Sequence, residues 1–187
     1  AQYLAERGAN VIVNDLGGGT FGYDGKPSSK VASAAADKIN ALGKGKAIAD
    51  GHDVSKFENA QRMVDTALEN WGRIDIVINN AGIASTGVFP DIDREEIDLH
   101  LGVHVMGAVN TMRAAWPHMK KQNYGRIINT SSDSVLGFSP QTTYPSMKAA
   151  LIGLSRNAGL LGVDHNINVN VIMPAAFTRL SALLPQG

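Results

Sequence analysis

Short apolar runs, each closed by a small polar residue or a proline, most narrow the folds open to this chain. Val11-Ile12-Val13-Asn14, Ile74 to Ile78, Arg126 to Asn129 and Ile167 to Met173 are four to seven residues long. Runs of that length belong to strands covered on both faces, and the cover in such folds is helical. Helical patterns do lie between them. Val31 to Leu42 is alanine-rich and stops at Gly43. A second pattern begins at Ser55, an expected N-cap whose capping box is completed by Glu58. It carries Phe57, Ala60, Met63, Val64, Ala67, Leu68 and Trp71 on one stripe before Gly72. Glu95 to Lys121 is one long pattern with Ile97, Leu101, Val105, Ala108, Met112, Ala115 and Met119 inward, and a kink is expected at Pro117. Tyr144 to Leu161 is the last, with Pro145 tolerated in its first turn. Lys46 to Ala49 reads as a further short strand, and Ala1 to Gly8 as a helix tail with Leu4 inward and Gly8 as terminator. Strands alternating with helices in this way predict an α/β protein built on a doubly wound parallel sheet.

The 187 residues predict one domain over 1–187 with a sizeable core. With 17 Lys+Arg against 17 Asp+Glu the chain is formally neutral, which argues against a nucleic-acid partner. Hydrophobic residues at 44% and charged residues at 18% exclude a disordered chain. No apolar run reaches the roughly 18 residues of a membrane span, so no membrane partner is expected. Without Cys there are no disulfides, thiolate metal sites or Cys nucleophiles. The chain opens inside a helix without Met and stops after an apolar stretch, so it reads as truncated at both ends. The expected compartment is the cytoplasm, or the peroxisome in a eukaryote.

In doubly wound sheets ligands collect beyond the carboxyl ends of the strands, here just after Val13, Ile78, Asn129 and Met173. Gly17-Gly18-Gly19-Thr20-Phe21-Gly22 matches G-x-G-x-x-G by letter. That fingerprint works by opening a helix onto a pyrophosphate, and Tyr23-Asp24-Gly25-Lys26-Pro27 cannot be a helix's first turn. A surface loop is expected there instead. Asp15 is the better lead, because it stands where a ribose-binding acid belongs if a strand and a glycine turn precede Ala1. The expected architecture is then Rossmann-like, lacking the first strand and the glycine-rich turn. A carboxylate at that place accepts from both ribose hydroxyls and repels a 2′-phosphate, and Leu16 is not the Arg such a phosphate needs. NAD is therefore expected over NADP. The alternative for Asp15 is a strand-end turn former.

Tyr144 and Lys148 lie four residues apart at the start of a helix and share a face. A free phenol titrates near about 10, too high for proton exchange at neutral pH, and a nearby ammonium favours its ionised form. Thr130-Ser131-Ser132 ends a strand 12 to 14 residues before Tyr144, and a serine hydroxyl there can donate to a carbonyl oxygen as charge develops on it. Asn79-Asn80-Ala81-Gly82 ends another strand in small residues that let a flat ring approach the backbone. Together these features fit a site that interconverts a carbonyl and an alcohol. No serine sits in a G-x-S-x-G elbow, which argues against an α/β-hydrolase.

At these residues the sequence resembles the short-chain dehydrogenase/reductase family. Asn79 to Gly82, the serine cluster, Tyr144-x-x-x-Lys148 and Pro174 stand in family order and near family spacing. Val13-Asn14-Asp15-Leu16-Gly17-Gly18 and Arg113 to Lys121 look like the (3R)-hydroxyacyl-CoA dehydrogenase part of multifunctional enzyme type 2 and its bacterial relatives. The resemblance implies hydride transfer between NAD and a secondary alcohol or ketone, with 3-hydroxyacyl-CoA the expected substrate. Tyr144 would exchange the proton, and Lys148 would lower its pKa and bind the nicotinamide ribose. Asp53 and Val54 would contact adenine, Asn80, Ala81 and Gly82 would line the adenosine side, and Thr178 would meet the carboxamide or pyrophosphate. Family spacing picks Ser131 as the catalytic serine. Anchoring on the strand end picks Ser132, which is preferred because loops absorb a deletion more easily than strands. His104 replaces the family's helix Asn, whose main-chain carbonyl holds a relay water, and Ala175 stands where Gly often follows Pro174.

Other readings stay in view. His100 and His104 are an i, i+4 pair, but H-E-x-x-H is not satisfied, so no metal site is expected and His100 is placed on the surface. His52, His118 and His165 are likewise read as surface residues. The substrate could instead be a steroid, sugar or small ketone, or the chain could bind a dinucleotide without turnover. Apolar residues to spare on the helices from Glu95 and Tyr144 make a homodimer or homotetramer the expected assembly.

Overall fold

The computed structural model describes residues 1–19, 21, 27–84, 87–137 and 141–175; Thr20, Gly22 and Thr178 lie outside them. A short helix, α1 (Gln2–Ala5), leads through Gly8 at φ +90° into β1 (Val11–Asn14). Helix α2 (Lys30–Asn40) returns the chain to β2 (Ala47–Asp50), which pairs with β1 in parallel, Val11 opposite Ala47. Helix α3 (Phe57–Trp71) ends at Gly72, whose φ of +72° few other residues adopt, and β3 (Ile76–Asn79) follows. A long helical stretch and β4 (Gly125–Thr130) come next, then α6 (Thr143–Gly162) and β5 (Ile167–Ile172). The last three strands form a second parallel sheet in the order β3-β4-β5. This is the expected Rossmann-like α/β architecture, with helices covering parallel strands.

Two apolar clusters carry the packing. Val64, Met112, Ala115, Met119, Ile127 and Ile167 bury α3 and the long helix against β4 and β5, while Ala5, Ala36, Ile39 and Ala47 close the space under β1 and β2. In the first helix Ala5, not Leu4, is the buried residue. The strands β1 and β3 are less covered than their apolar composition implies: every residue of β1 is half-buried, and Ile76 and Ile78 are 43% and 46% exposed. The reason is topological. Among the described residues β1 pairs only with β2 and β3 only with β4, and both line a cleft of about 1360 Å³.

The long helical stretch departs from the expected single stripe. Asp93 caps α4 (Arg94–His100) by accepting from the Glu96 N–H at 2.7 Å, and α5 (Gly107–Gln122) runs through Pro117 to a left-handed Asn123. Between them Leu101–Met106 is π-helical. A π turn takes up more residues than an α turn, so it rotates the buried face of everything before it relative to everything after. Ala108, Met112, Ala115 and Met119 face inward as expected, but Leu101 is exposed and the buried residues of this stretch are His100 and His104. The surface placement of His100 is thereby corrected. The capping box at Ser55 is also absent: α3 starts after Lys56, and the Ser55 N–H donates to Asp53 Oδ1 at 2.8 Å.

Two glycines of α6 make opposite predictions. A Cβ on Gly162 would collide with the Ile167 carbonyl oxygen, which is backbone and cannot yield, whereas a Cβ on Gly153 would meet nothing within 4 Å. Chemical denaturation is therefore expected to show Gly162→Ala destabilising by about 2 kcal/mol. Gly153→Ala should stabilise by up to about 1 kcal/mol through helix propensity.

Candidate active site

The site is assembled where β4 runs out against the first turns of α6. Lys148 Nζ donates to the Thr130 carbonyl at 2.7 Å, and Ser131 Oγ donates to the Lys148 carbonyl at 2.8 Å. The Ser131 N–H continues the ladder to Ile172 O at 2.8 Å, so Ser131 is spent on structure. Successive residues of an extended chain point to opposite sides, and Ser132 therefore faces the other way. Its side chain acts on Tyr144, favouring the ionised phenol. It also accepts from the Ser134 N–H at 3.2 Å, capping the 3₁₀ turn Asp133–Leu136, and lies 3.2 Å from Asp133 Oδ1. Of the two candidate serines, the structure brings Ser132 to Tyr144.

Burial sets the protonation of the cluster. Tyr144 is half-buried, and desolvation raises its phenol above the ordinary value of 10.0; Ser132 opposes this and the Asp133 charge adds to it. Lys148 is 3% exposed, and burial pushes it down to about 8. The ammonium is drawn to Thr130 O, 5.5 Å from the centroid of the Tyr144 ring, and desolvation of the phenol outweighs its influence.

His104 packs behind the phenol. Its ring meets that of Tyr144 edge-on, centroids 5.3 Å apart, and stacks on His100 at the same separation. The Nε2 atom is 3.2 Å from Ile83 O, and Nδ1 is buried without a partner. Burial, with Lys148 and His100 adding, holds His104 down to about 3, so it is neutral at working pH. Burial likewise lowers His100, with Glu96 and the Ala84 backbone opposing.

Six of the residues expected to hold a dinucleotide share the cleft between β1 and β3, whereas Tyr144 and Lys148 do not line it. Asp15, Asp53, Val54, Asn80, Ala81, Gly82 and His104 all line it. Asp15 also makes the turn its residue type favours, accepting from the Gly17 N–H at 2.8 Å, and Asp53 does the same for Ser55. The Val54 carbonyl accepts from Asn110 Nδ2 at 3.0 Å. Gly82 is where cleft and site meet: a Cβ there would stand 3.0 Å from His104 Cε1 and 3.7 Å from Lys148 Nζ. An acid at one strand end and an exposed, side-chain-poor backbone at the next suit a polar ribose and a flat ring, so the residues present fit NAD(P).

Sequence reasoning missed the buried relay that fixes these strand ends. Thr111 Oγ1 donates to Asn79 Oδ1 at 2.6 Å, Asn79 Nδ2 to Asn129 Oδ1 at 2.8 Å, and Asn129 Nδ2 to Ser155 Oγ at 2.9 Å. Asn79 and Asn129 sit side by side in the strand register, and a paired Asn closing two apolar runs was the signal available. Asp133 was missed as well.

Parallel strands covered by helices, with a hydroxyl, a phenol and an ammonium at the carboxyl end of the middle strand, define a Rossmann-like protein with a proton-exchanging site beside a long cleft. The family model described as short chain dehydrogenase matches residues 1–182, and the chain belongs to that family, which implies NAD(P) binding in general. A short chain dehydrogenase from Mycobacterium avium has a similar solved structure, with TM-score 0.83 and 35% identity over 96% of this chain and 63% of that one. The peroxisomal multifunctional enzyme type 2 of Mus musculus is 45% identical over 188 residues, 98% of this chain and 24% of its own length. The peroxisomal hydratase-dehydrogenase-epimerase of Neurospora crassa is 41% identical over 180 residues, 96% of this chain and 20% of its own. The chain thus spans a quarter or less of the length of these two relatives.

The buried neutral His104 makes a stability prediction. An unfolded His binds its proton near about 6.5 and the folded one only at about 3, so between those values the unfolded state holds more protons and stability falls as pH falls. From pH 7 to pH 5 this contributes a loss of about 2 kcal/mol. Urea titrations at the two pH values should show that the loss shrinks by about that amount in His104→Asn.

Proposed function

We propose that residues 1–187 form the dinucleotide-binding domain of an NAD-dependent oxidoreductase that interconverts a secondary alcohol and a ketone, with a 3-hydroxyacyl-CoA as substrate. The observation that carries this reading is the approach of Ser132 to Tyr144 at the end of β4, with Lys148 buried beside it and tied to the Thr130 carbonyl. At neutral pH the raised phenol is protonated, the form that gives a proton to a ketone oxygen. The Ser132 hydroxyl donates to the same oxygen as negative charge grows on it. In the alcohol-oxidising direction Tyr144 first loses its own proton, and the phenolate then takes the hydroxyl proton while Ser132 again steadies the oxygen. Lys148, about 8 and thus mostly protonated near neutrality, places a positive charge at the ribose side of the site. When bound, the nicotinamide supplies or accepts the hydride.

The remaining residues bind. Asp15 accepts from the ribose hydroxyls and its charge disfavours a 2′-phosphate, which supports NAD over NADP. Asp53 and Val54 contact the adenine, and Asn80, Ala81 and Gly82 line the adenosine side. Thr178, beyond Pro174, is assigned to the carboxamide or pyrophosphate. His104 takes the place of the family's helix Asn and keeps the relay position. The acyl-CoA substrate is supported by the likeness to the two multifunctional relatives and by Arg113 to Lys121, and the name of each relative is consistent with a peroxisomal setting; a cytoplasmic one suits a bacterial host. The assembly is assigned as a homodimer or homotetramer.

Following NADH absorbance with 3-hydroxyacyl-CoA tests the reading. Tyr144→Phe should lower kcat by about 10² to 10⁴-fold, the range for a lost acid–base group, and full turnover in this variant would sink the mechanism. Activity confined to steroid, sugar or small-ketone substrates would keep the chemistry and replace the substrate. A second arm addresses the cofactor: Asp15→Ser combined with Leu16→Arg should shift kcat/KM from NAD toward NADP by at least about tenfold.

A further inference from the structure

We propose that Asp133 is a positioning residue that decides which way the Ser132 hydroxyl points and so holds Tyr144 in its proton-donating form. The inference rests on the assignment of Ser132 and Tyr144 made above. A serine hydroxyl has one proton and two lone pairs. One lone pair of Ser132 is taken by the Ser134 N–H at 3.2 Å, and Asp133 Oδ1 stands 3.2 Å away on the proton's side. The Tyr144 phenol is the third neighbour, close enough for Ser132 to act on its ionisation. If the proton goes to the carboxylate, the remaining lone pair accepts from the Tyr144 O–H and every group is satisfied. If the phenol ionises, Ser132 must turn its only proton onto the phenolate, and Asp133 loses a charge-assisted bond while a second negative charge forms close by. Asp133 therefore competes with the phenolate for one hydrogen.

The direction of the effect agrees with the raised phenol, on which Asp133 acts to raise it further. Other groups face the same ring. Lys148 is on its own helix, His104 presses from the π turn with His100 stacked behind it, and Glu96 of α4 reaches the Gly87 N–H at 3.2 Å beside the Gly87 carbonyl that accepts from Thr142 N. Asp133 also acts on the phenol directly through its charge, so the hydroxyl route is isolated by making the change at Asp133 with and without Ser132. Nature places an acceptor one residue after the serine, where the 3₁₀ turn fixes it rigidly enough to choose the rotamer.

The test is an ultraviolet titration of the Tyr144 phenol in the unliganded protein, taken as wild type minus Tyr144→Phe. Asp133→Asn, measured against its own Tyr144→Phe partner, should lower the midpoint by about half a unit or more, as removal of a nearby like charge does. In a Ser132→Ala background the same substitution should move the midpoint by less than half as much. An unchanged midpoint in Asp133→Asn overturns the proposal, and an equal shift with and without Ser132 overturns the serine as its carrier. Asp133→Ser, which offers a neutral acceptor, should shift in the same direction, and a failure to do so counts against it equally. With substrate, the pH profile of alcohol oxidation in Asp133→Asn should move to lower pH by the titrated amount. Absence of turnover in wild type on any secondary alcohol would defeat the functional reading while leaving the phenol titration to decide the role of Asp133.

Discussion

Two hydrogen bonds fasten the carboxyl end of β4 to α6, and the geometry of the site follows from them. Lys148 Nζ holds the Thr130 carbonyl, and Ser131 Oγ holds the Lys148 carbonyl, so strand and helix are locked in one register by residues only one position apart on the strand. The lock is costly. Lowering a buried lysine from 10.5 to about 8 corresponds to about 3 kcal/mol at neutral pH, a sizeable share of a domain's stability. An apolar residue would avoid that cost but would leave the Thr130 carbonyl without its partner. What the lysine achieves is placement: with β4 and α6 locked, Ser132 and Tyr144 have little choice but to meet.

The same burial that makes the lock expensive sets the chemistry. In a poorly solvated cluster the neutral form of every group is favoured, which raises Tyr144, lowers Lys148 and keeps His104 uncharged. The site at rest near neutrality is thus a protonated phenol beside a mostly protonated amine and a neutral imidazole. His104 adds shape as well as charge balance. The π turn swings it inward against the Tyr144 ring, and a helix that stayed α throughout would present Leu101 and Val105 to the interior instead.

These details mark where sequence reasoning succeeds. Apolar runs at strand length and stripes at helix spacing place the strands and helices, because burial of a face is written directly in residue type. Tyr144 and Lys148 are readable for the same reason, an i, i+4 pair at a helix start. The choice between Ser131 and Ser132 was not readable by spacing, since a one-residue slip turns a side chain to the opposite side and a loop deletion produces the same count. The π turn is invisible to a 3.6-residue stripe, which is why His100 was put on the surface. Ser55 failed as a cap because Asp53 competes for its N–H, a contest between two good turn formers that propensity alone does not decide. Asp133 passed unnoticed because an acid in a loop is ordinarily a solvated charge, and only its place next to Ser132 gives it a role.

Gly82 joins the two halves of the molecule. The cleft between β1 and β3 is long, apolar on its strand walls and polar at the strand ends, and Ser132, Tyr144 and Lys148 do not line it. A single Cβ at position 82 would press on His104 and come within contact of Lys148. The effect of such a side chain would reach Tyr144 through the His104 ring, which meets the phenol edge-on. The absence of a side chain at position 82 thus preserves the packing of His104 on Tyr144, as the lysine clamp preserves the join of β4 to α6.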